Sequence, residues 1–198
     1  MTVSISSAIA PVLICQGFHR AFIEPEGPMF SASAALRRAT CESVLRQARR
    51  SGWVVVHSLL DADIVRSAGE ETIPGFEPTP LEQHFWQPGL SAFSSPPFRR
   101  AMFPYNLSPV FLISLAGLGA IGATLLSGLD RHFAMHVVTD AVADTGSHAV
   151  DERERLRAIE TLARAHNSAV TSRELATLAP AARAVEQAAP HLISQAGR

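Results

Sequence analysis

Short apolar runs and amphipathic segments alternate along the chain, and they predict strands and helices in turn. Runs without a polar face are typical of strands that are buried on both sides of a parallel sheet, whereas apolar positions three to four residues apart predict helices. The predicted strands are PVLICQ (11–16), WVVVHSLL (53–60), PVFLISLA (109–116), AMHVVTDAV (134–142) and a short edge strand, SAVTS (168–172). One predicted helix spans 31–52 and a second runs from the glycine turn to about 131. A third spans 151–166 and a fourth about 180–195. This order predicts an α/β fold, a doubly wound parallel sheet with helices on both faces.

A single domain accounts for the whole chain, residues 1–198. Its 47% hydrophobic content is enough for a sizeable core, which we place at about 11–178, with the helical segment at about 180–195 following it. Residues 67–97 are rich in Pro, Gly and Glu and show little periodicity. We therefore predict a long connection there, of a length that is usually functional or partly disordered in compact domains.

Composition excludes several classes of function. The net charge is −1 and the charged residues are scattered, so the chain offers no basic surface to a nucleic acid. No apolar stretch reaches the roughly 18 to 20 residues of a membrane span, and the N-terminus lacks the basic region of a signal peptide, so we expect a cytoplasmic protein. Two cysteines are too few for a disulfide scaffold or a four-ligand zinc site. We assign no metal and no cofactor.

The glycine turn in SLAGLGAIGATLL (114–126) is the most distinctive local motif. Gly117, Gly119 and Gly122 have the GxGxxG spacing of a dinucleotide-binding turn, and Asp140 ends the next predicted strand, where such folds place a ribose-binding acid. However, that motif normally begins a cofactor domain, and here more than half of the chain precedes it. The other interpretation is that small residues allow a helix to pack closely on the sheet.

Five segments, in this order, resemble those of the isochorismatase-like cysteine hydrolases, the family of the nicotinamidases and N-carbamoylsarcosine amidohydrolase. The segments are VLICQGFHRAFIEPEGPMF, SVLRQARRSGWVVVHS, PTPLEQHFWQPGLSAF, VFLISLAGLGAIGATLLSGLDRHFAMHVVTDAVAD and SHAV…SAVTSREL. Each is weak alone, but together they cover about residues 11 to 178. The resemblance implies the same α/β fold as the strand and helix pattern.

The resemblance also implies a mechanism whose residues are missing here. In the family a Cys at a helix N-terminus attacks a carbonyl carbon, an Asp acts as base and acid, a Lys supports their charge, and backbone N–H groups hold the oxyanion. Aligned without gaps, these three positions read Gly17 for the Asp, Gln87 for the Lys and Ala120 for the Cys. A shift of two residues would place Cys15 at the first position. The second needs no alignment, because the chain contains no lysine.

Other residues of the expected pocket offer only partial substitutes. The ligand-pocket residues that we assign are Cys15, Phe22, His57, Ser91, Phe93, Gly119 and Ala120. A lone cysteine in an apolar strand is more often a core residue than a nucleophile, and Cys41 in mid-helix is expected to be structural. Relatives of the nicotinamidase type place a metal beside the pocket. The side chains here that could be imagined as its ligands are His19, His57, Asp61, Asp63 and His84, and their spacing is no more than suggestive.

The sequence therefore favours a non-catalytic, isochorismatase-like protein. We expect it to bind a small ligand, possibly an anion, or a partner subunit, and to form a homo-oligomer or a hetero-oligomer with an active relative. The helix N-terminus at Ala120 would be an elbow without its nucleophile, able to offer N–H donors to a carboxylate. Two alternatives stay open. One is a hydrolase of a small amide, ester or enol ether acting through Cys15 or a His-activated water, and the other is a dinucleotide-binding protein using GLGAIG.

Overall fold

The computed structural model describes residues 10–25, 29–61, 71–144 and 151–178. Six strands form one sheet in the order β3-β2-β1-β4-β5-β6, and every pairing is parallel. The strands are β1 (Val12–Gln16), β2 (Val54–Leu60), β3 (Gln83–Gln87), β4 (Pro109–Ser114), β5 (Ala134–Val142) and β6 (Ala169–Val170). The doubly wound parallel sheet predicted from the sequence is confirmed.

Four helices and a further helical stretch cover the two faces of this sheet. The helices are α1 (Ala32–Arg50), α2 (Pro96–Met102), α3 (Leu118–Leu129) and α4 (Glu152–Ala165), and residues 172–178 are also helical. α1 begins where the Ser31 side chain accepts a hydrogen bond from the Ala34 N–H at 3.2 Å, and it ends before Gly52, whose φ is +70°. The predicted C-terminal helix at about 180–195 lies outside the described residues.

The core is divided by the sheet into two apolar clusters. Side chains of α1 pack on one face, against the odd-numbered residues of β1 such as Leu13 and Cys15. Side chains of α3 and α4 pack on the other face, against Val12 and Ile14. Because successive strand residues point to opposite faces, a residue's position in its strand decides which cluster it joins.

The predicted long connection at 67–97 was wrong in one respect, because it contains β3. This strand, QHFWQ, lies at the edge of the sheet and only its last residue is buried. Its polar residues and partial exposure leave no continuous apolar run of the kind that identifies the central strands. The connection also contains a 3₁₀ turn at Ala92–Ser94 and the start of α2.

The sheet reverses its strand order between β1 and β4, and open α/β sheets usually bind ligands in the crevice at such a point. Here the two chain segments that leave these strands touch each other. The Leu115 N–H donates to the Gln16 carbonyl at 3.1 Å, and a Cβ placed on Gly17 would lie 2.5 Å from the Ala116 Cβ. Gly17 and Ala116 therefore pack directly against each other where the two segments leave the sheet.

Among the described residues, none of the helices combines the length and the apolar character that crossing a membrane requires.

Candidate functional site

Polar side chains gather where the first four strands approach their carboxyl ends. Gln16, Ser58 and Ser114 are aligned on three adjacent strands, since Gln16 is the register partner of both serines. Gln87 ends β3, and Thr124 reaches the same place from α3. We refer to these five buried residues as the polar cluster.

The members of the polar cluster hydrogen-bond to one another. The Gln16 Nε2 donates to Gln87 Oε1 at 3.1 Å and to Thr124 Oγ1 at 2.9 Å. The Ser58 hydroxyl donates to Gln87 Oε1 at 2.6 Å, and the Ser114 hydroxyl donates to Gln16 Oε1 at 3.3 Å. None of the five side chains has a buried polar atom without a partner. The cluster is therefore neutral and internally satisfied, as a buried polar network must be if it is to be stable.

The three positions that the sequence aligned with the family's catalytic residues lie on different elements. Gln87 lies in the polar cluster, and Ala120 lies in the first turn of α3, only 2% exposed. The residue of the first strand that reaches Gln87, however, is Gln16. Gly17 has a φ of +70° and no room for a Cβ, so it presents no side-chain position toward Gln87.

The N-terminus of α3 already holds a carboxylate from the chain itself. Asp144, which is 4% exposed, accepts a hydrogen bond from the Leu118 N–H at Oδ1 at 3.1 Å. Its other oxygen, Oδ2, is bound by the Arg155 guanidinium, and its backbone carbonyl accepts from the Ser31 hydroxyl at 2.6 Å. The expected anion-receiving elbow is thus at least partly filled, because an anion at a helix N-terminus satisfies the same donors and dipole.

The seven assigned pocket residues lie on two faces of the sheet. Ser91, Phe93, Gly119 and Ala120 lie on the α3 side of the sheet, near the polar cluster. The Ser91 hydroxyl accepts from the Phe93 N–H at 3.1 Å and begins a 3₁₀ turn, while the Phe93 ring packs on Phe98 in the core. Leu90 lies over the glycine turn, 3.8 Å from where a Cβ of Gly119 would be.

Cys15, Phe22 and His57 lie on the α1 side of the sheet instead. Cys15 and Phe22 are fully buried in the apolar cluster there. Burial, with a smaller contribution from the charge of Glu82, raises the pKa of the Cys15 thiol well above its usual value. A thiol in this environment remains protonated and has no access to a substrate.

His57 belongs to a buried ionic group that joins α1, β2 and the segment before β3. Its Nε2 lies 2.9 Å from Glu82 Oε2, and Arg49 Nε donates to Glu82 Oε1 at 2.8 Å. Burial by itself would raise the pKa of Glu82, but hydrogen bonds from Arg49, the Thr79 N–H and His57 outweigh it and hold that pKa at about 2. Burial lowers the pKa of His57, so the imidazole is neutral at neutral pH and donates to an ionised carboxylate.

Four of the side chains considered as metal ligands lie in the described residues: His19, His57, Asp61 and His84. The His19 Nε2 accepts a hydrogen bond from the Leu60 N–H at 2.9 Å, which removes it as a ligand atom. Asp63 lies outside the described residues. Within the described residues no group of three or more His, Cys, Asp or Glu side chains is arranged to hold a metal ion.

Asp140, the acid that the dinucleotide alternative would use, is hydrogen-bonded within the chain. Both oxygens of Asp140 are engaged by Ser172, whose N–H donates to Oδ1 at 2.7 Å and whose hydroxyl donates to Oδ2 at 2.5 Å. Asp140 therefore caps the helical stretch at 172–178.

A groove of about 460 Å³ opens beside β2 and β3, on the face of the sheet that α1 covers. It is lined by Leu59, Thr72, Pro78, Thr79, Pro80, Glu82, His84 and Trp86. Sequence reasoning missed this groove because its walls come from two strands and from a connection without periodicity. It also missed Gln16, Ser58 and Ser114, although each is a polar residue near the end of a predicted apolar strand, which was a usable signal.

The comparisons with known proteins agree on the fold. No protein-family model matches the chain, and no curated protein matches it in sequence. Among solved structures, it is similar to a cysteine hydrolase from Pseudomonas syringae pv. phaseolicola, at 16% identity over 90% of this chain and 95% of that one, with a TM-score of 0.74. An N-carbamoylsarcosine amidase from Thermoplasma acidophilum matches at 20% identity, over 83% and 97% of the two chains, with a TM-score of 0.64. An isochorismatase family protein from Desulfovibrio vulgaris matches at 18% identity, over 85% and 98%, with a TM-score of 0.70.

These neighbours support the resemblance noted in the sequence. The chain has the isochorismatase-like α/β fold, and the likeness extends over most of its length. At such low identities the likeness establishes the fold, and the chemistry has to be argued from the side chains of this chain.

Proposed function

We propose that this protein is a non-catalytic relative of the isochorismatase-like cysteine hydrolases, which binds a small ligand or a partner subunit instead of hydrolysing a substrate. The observation that carries the proposal is the polar cluster. At the ends of β1 to β4, where a catalytic acid, cation and nucleophile would be needed, the chain places amides and hydroxyls that bond to one another.

Neutral amides cannot replace the chemistry of an acid and a base. General acid–base catalysis needs a group that gains and loses a proton near the working pH, and an amide does neither. Gln16 and Gln87 also use their hydrogen-bonding atoms on each other and on neighbouring backbone, for Gln87 Nε2 donates to the Gly89 and Leu90 carbonyls at 3.1 Å each. The burial and mutual bonding of these side chains favour a structural role for them.

The state of the two thiols also supports the proposal. Cys41 is buried, its Sγ lies 3.2 Å from the Ala141 carbonyl, and burial raises its pKa, as it raises that of Cys15. A nucleophilic cysteine needs a lowered pKa and access to its substrate. His57 does not suit the alternative of a His-activated water, because its side chain is 1% exposed and bonded to Glu82.

A partner subunit is the second part of the proposal. Large apolar side chains are exposed at several places in the described residues, and such side chains are candidates for contacts between chains. They are Phe30, Leu36, Leu81, Leu90, Phe103, Leu107 and Leu126. Sedimentation of the purified chain, alone and mixed with an active isochorismatase-like hydrolase, would show whether a homo-oligomer or a hetero-oligomer forms.

The test of the non-catalytic proposal is turnover. We expect no hydrolysis of nicotinamide, isochorismate or N-carbamoylsarcosine above the rate in buffer, because the polar cluster offers no base and the buried thiols offer no nucleophile. Turnover that survives repurification would overturn the proposal. If Cys15→Ser abolished that turnover, Cys15 would be the nucleophile. If His57→Gln abolished it and Cys15→Ser did not, a His-activated water would be the better explanation.

A further inference from the structure

The strand β3 lies at an edge of the sheet, and its outer side is open. It is the first strand in the order β3-β2-β1-β4-β5-β6, and within the described residues β2 is its only strand partner. Gln83 and His84 at its start are exposed, and Phe85 and Trp86 are half-buried. The strand at the opposite edge, β6, has only two residues, whereas β3 has five. β3 is therefore the longer open edge of the sheet.

The backbone of β3 alternates between facing β2 and facing outward. The Asp61 N–H donates to the Gln87 carbonyl at 3.0 Å, so the backbone groups of Gln87 face β2. Because this direction alternates along a strand, Phe85 also faces β2, whereas the N–H and C=O groups of His84 and Trp86 face outward. Within the described residues these outward groups have no hydrogen-bond partner. Unpaired backbone groups in a row are a template for another strand.

The segment lacks the features that usually keep an edge strand from pairing with another chain. Such features are charged side chains, a proline within the strand and a bulge. QHFWQ has no proline, and its register with β2 runs unbroken from Gln83 to Gln87. No Asp, Glu, Lys or Arg occurs from residue 83 to residue 98, and Glu82 is turned inward to Arg49. A second neutral edge can therefore approach this one without repulsion between like charges.

We propose that the outer edge of β3 is a self-association surface, which pairs antiparallel with β3 of a second copy of this chain and continues the sheet across a two-fold axis. This inference rests on the partner-subunit part of the function proposed above, for which it names the partner and the surface.

A second copy fits this edge because the outward groups are complementary to themselves. With Phe85 of both copies at the two-fold axis, His84 of one copy lies opposite Trp86 of the other, and each such pair exchanges two N–H···O bonds. Pro88, the next outward position, has no N–H and limits the pairing to these residues. The facing imidazole and indole rings form aromatic cross-strand pairs, which stabilise antiparallel strands. A contact of this symmetric kind closes at two copies.

The size of the contact sets the expected affinity. A five-residue strand buries less than the ~800 Å² per partner of a standard interface, so we expect a dissociation constant on the order of 10 μM. Sedimentation equilibrium at protein concentrations below and above this value measures it. We expect a monomer at low concentration, a dimer at high concentration and no larger species.

Two substitutions at His84 separate the backbone from the side chain. His84→Pro removes the outward N–H but no bond to β2, and proline is tolerated in an edge strand at such a position. We expect it to weaken dimerisation at least about tenfold, since each copy loses a hydrogen bond across the interface. His84→Val removes the same imidazole but keeps the N–H and a side chain that favours strands. Its dissociation constant should stay within about threefold of that of the unsubstituted chain.

Hydrogen exchange of the unsubstituted chain tests the same contact without a variant. The N–H groups of His84 and Trp86 should exchange fast at low protein concentration and slowly at high concentration, because only the dimer engages them. The Phe85 N–H faces β2 and should exchange slowly at both concentrations. In His84→Pro the Phe85 N–H should stay protected, which would show that the pairing of β2 with β3 is intact.

A chain that stays monomeric at high concentration would overturn the inference, and so would a dimer in which the His84 and Trp86 N–H groups exchange fast. A dimer that survives His84→Pro would place the contact elsewhere on the chain. Protection of these N–H groups only after an active isochorismatase-like hydrolase is added would overturn the choice of a second copy and leave the partner-subunit proposal standing. The non-catalytic proposal is independent of these results, because it fails only if the protein turns over a substrate.

Discussion

Gly17 has a backbone conformation and surroundings that leave no room for a side chain. Its φ of +70° lies in the left-handed region, and the Ala116 Cβ occupies the space that its own Cβ would need, at 2.5 Å. A side chain at this position, such as that of an aspartate, would therefore distort the junction between β1 and β4. Gln16, one residue earlier, is the position from which a side chain reaches Gln87 at 3.1 Å.

Gly17→Ala should destabilise the protein more than Gly52→Ala. Both glycines have a φ of +70°, but nothing lies within 4 Å of a Cβ at Gly52. We expect Gly52→Ala to cost about 1 kcal/mol from the backbone conformation alone, and Gly17→Ala about 2 to 4 kcal/mol because overpacking is added. Urea unfolding of the two variants gives the difference. Adding Ala116→Gly to Gly17→Ala should recover most of the excess, and failure to do so would contradict the contact.

At the scale of elements, Asp144 decides what the N-terminus of α3 can bind. The Asp144 carboxylate accepts from the Leu118 N–H and binds Arg155 of α4, and the Asp144 backbone carbonyl accepts from the Ser31 hydroxyl before α1. A helix N-terminus normally favours a thiolate because of its partial positive charge, and a fixed carboxylate beside it opposes that effect. The elbow therefore serves to join elements of this fold.

A thiol introduced by Ala120→Cys should consequently have no strongly lowered pKa. Adding Asp144→Asn should lower that pKa by about half a unit, since the substitution removes the negative charge while keeping a hydrogen-bond acceptor. Thiolate absorbance as a function of pH measures both values. Asp140→Asn is the matched control, because Asp140 caps a different helix through Ser172. Equal thiol pKa values with and without Asp144→Asn would show that Asp144 does not control the site.

Histidines with buried or half-buried imidazoles make the stability of the whole molecule depend on pH; among the described residues His19 and His57 are buried and His136 is half-buried. Burial lowers the pKa of His19 to about 4 and also lowers the pKa of His57 and His136. A histidine whose pKa is lower in the folded than in the unfolded chain contributes stability above its unfolded value of roughly 6.5. That contribution is lost as the pH falls toward the folded pKa, because the unfolded state then binds more protons.

The free energy of unfolding should therefore decrease as the pH is lowered from neutral to about 4. His19 alone accounts for about 3 kcal/mol of this loss, and His57 and His136 act in the same direction. Urea unfolding across this range measures it. His19→Gln should lower stability at neutral pH and give a shallower pH dependence, while His166→Gln, at an exposed histidine, should follow the unchanged chain. Parallel curves for His19→Gln and the unchanged chain would contradict the assignment.

The fold could be predicted from the sequence because its central strands are uninterrupted apolar runs. Val12–Gln16 and Pro109–Ser114 are buried along nearly their whole length, and a strand covered on both faces is apolar at most of its positions. The edge strand Gln83–Gln87 was missed for the same reason, since an exposed strand has no such requirement. The missing lysine was equally visible, because composition needs no alignment.

Only the tertiary structure decided what surrounds the positions that the sequence aligned with the family's catalytic residues. That Gln16 meets Gln87 depends on the pairing of β1, β2 and β3, and that Asp144 reaches Leu118 depends on where β5 ends beside α3. The strand pattern places a side chain on one face of the sheet, but its partners come from residues 26 to 108 positions away. Sequence by itself therefore determined the architecture and the absence of lysine. The contact at Gly17 and the groove at Trp86 arise from packing between distant segments, which no local pattern records.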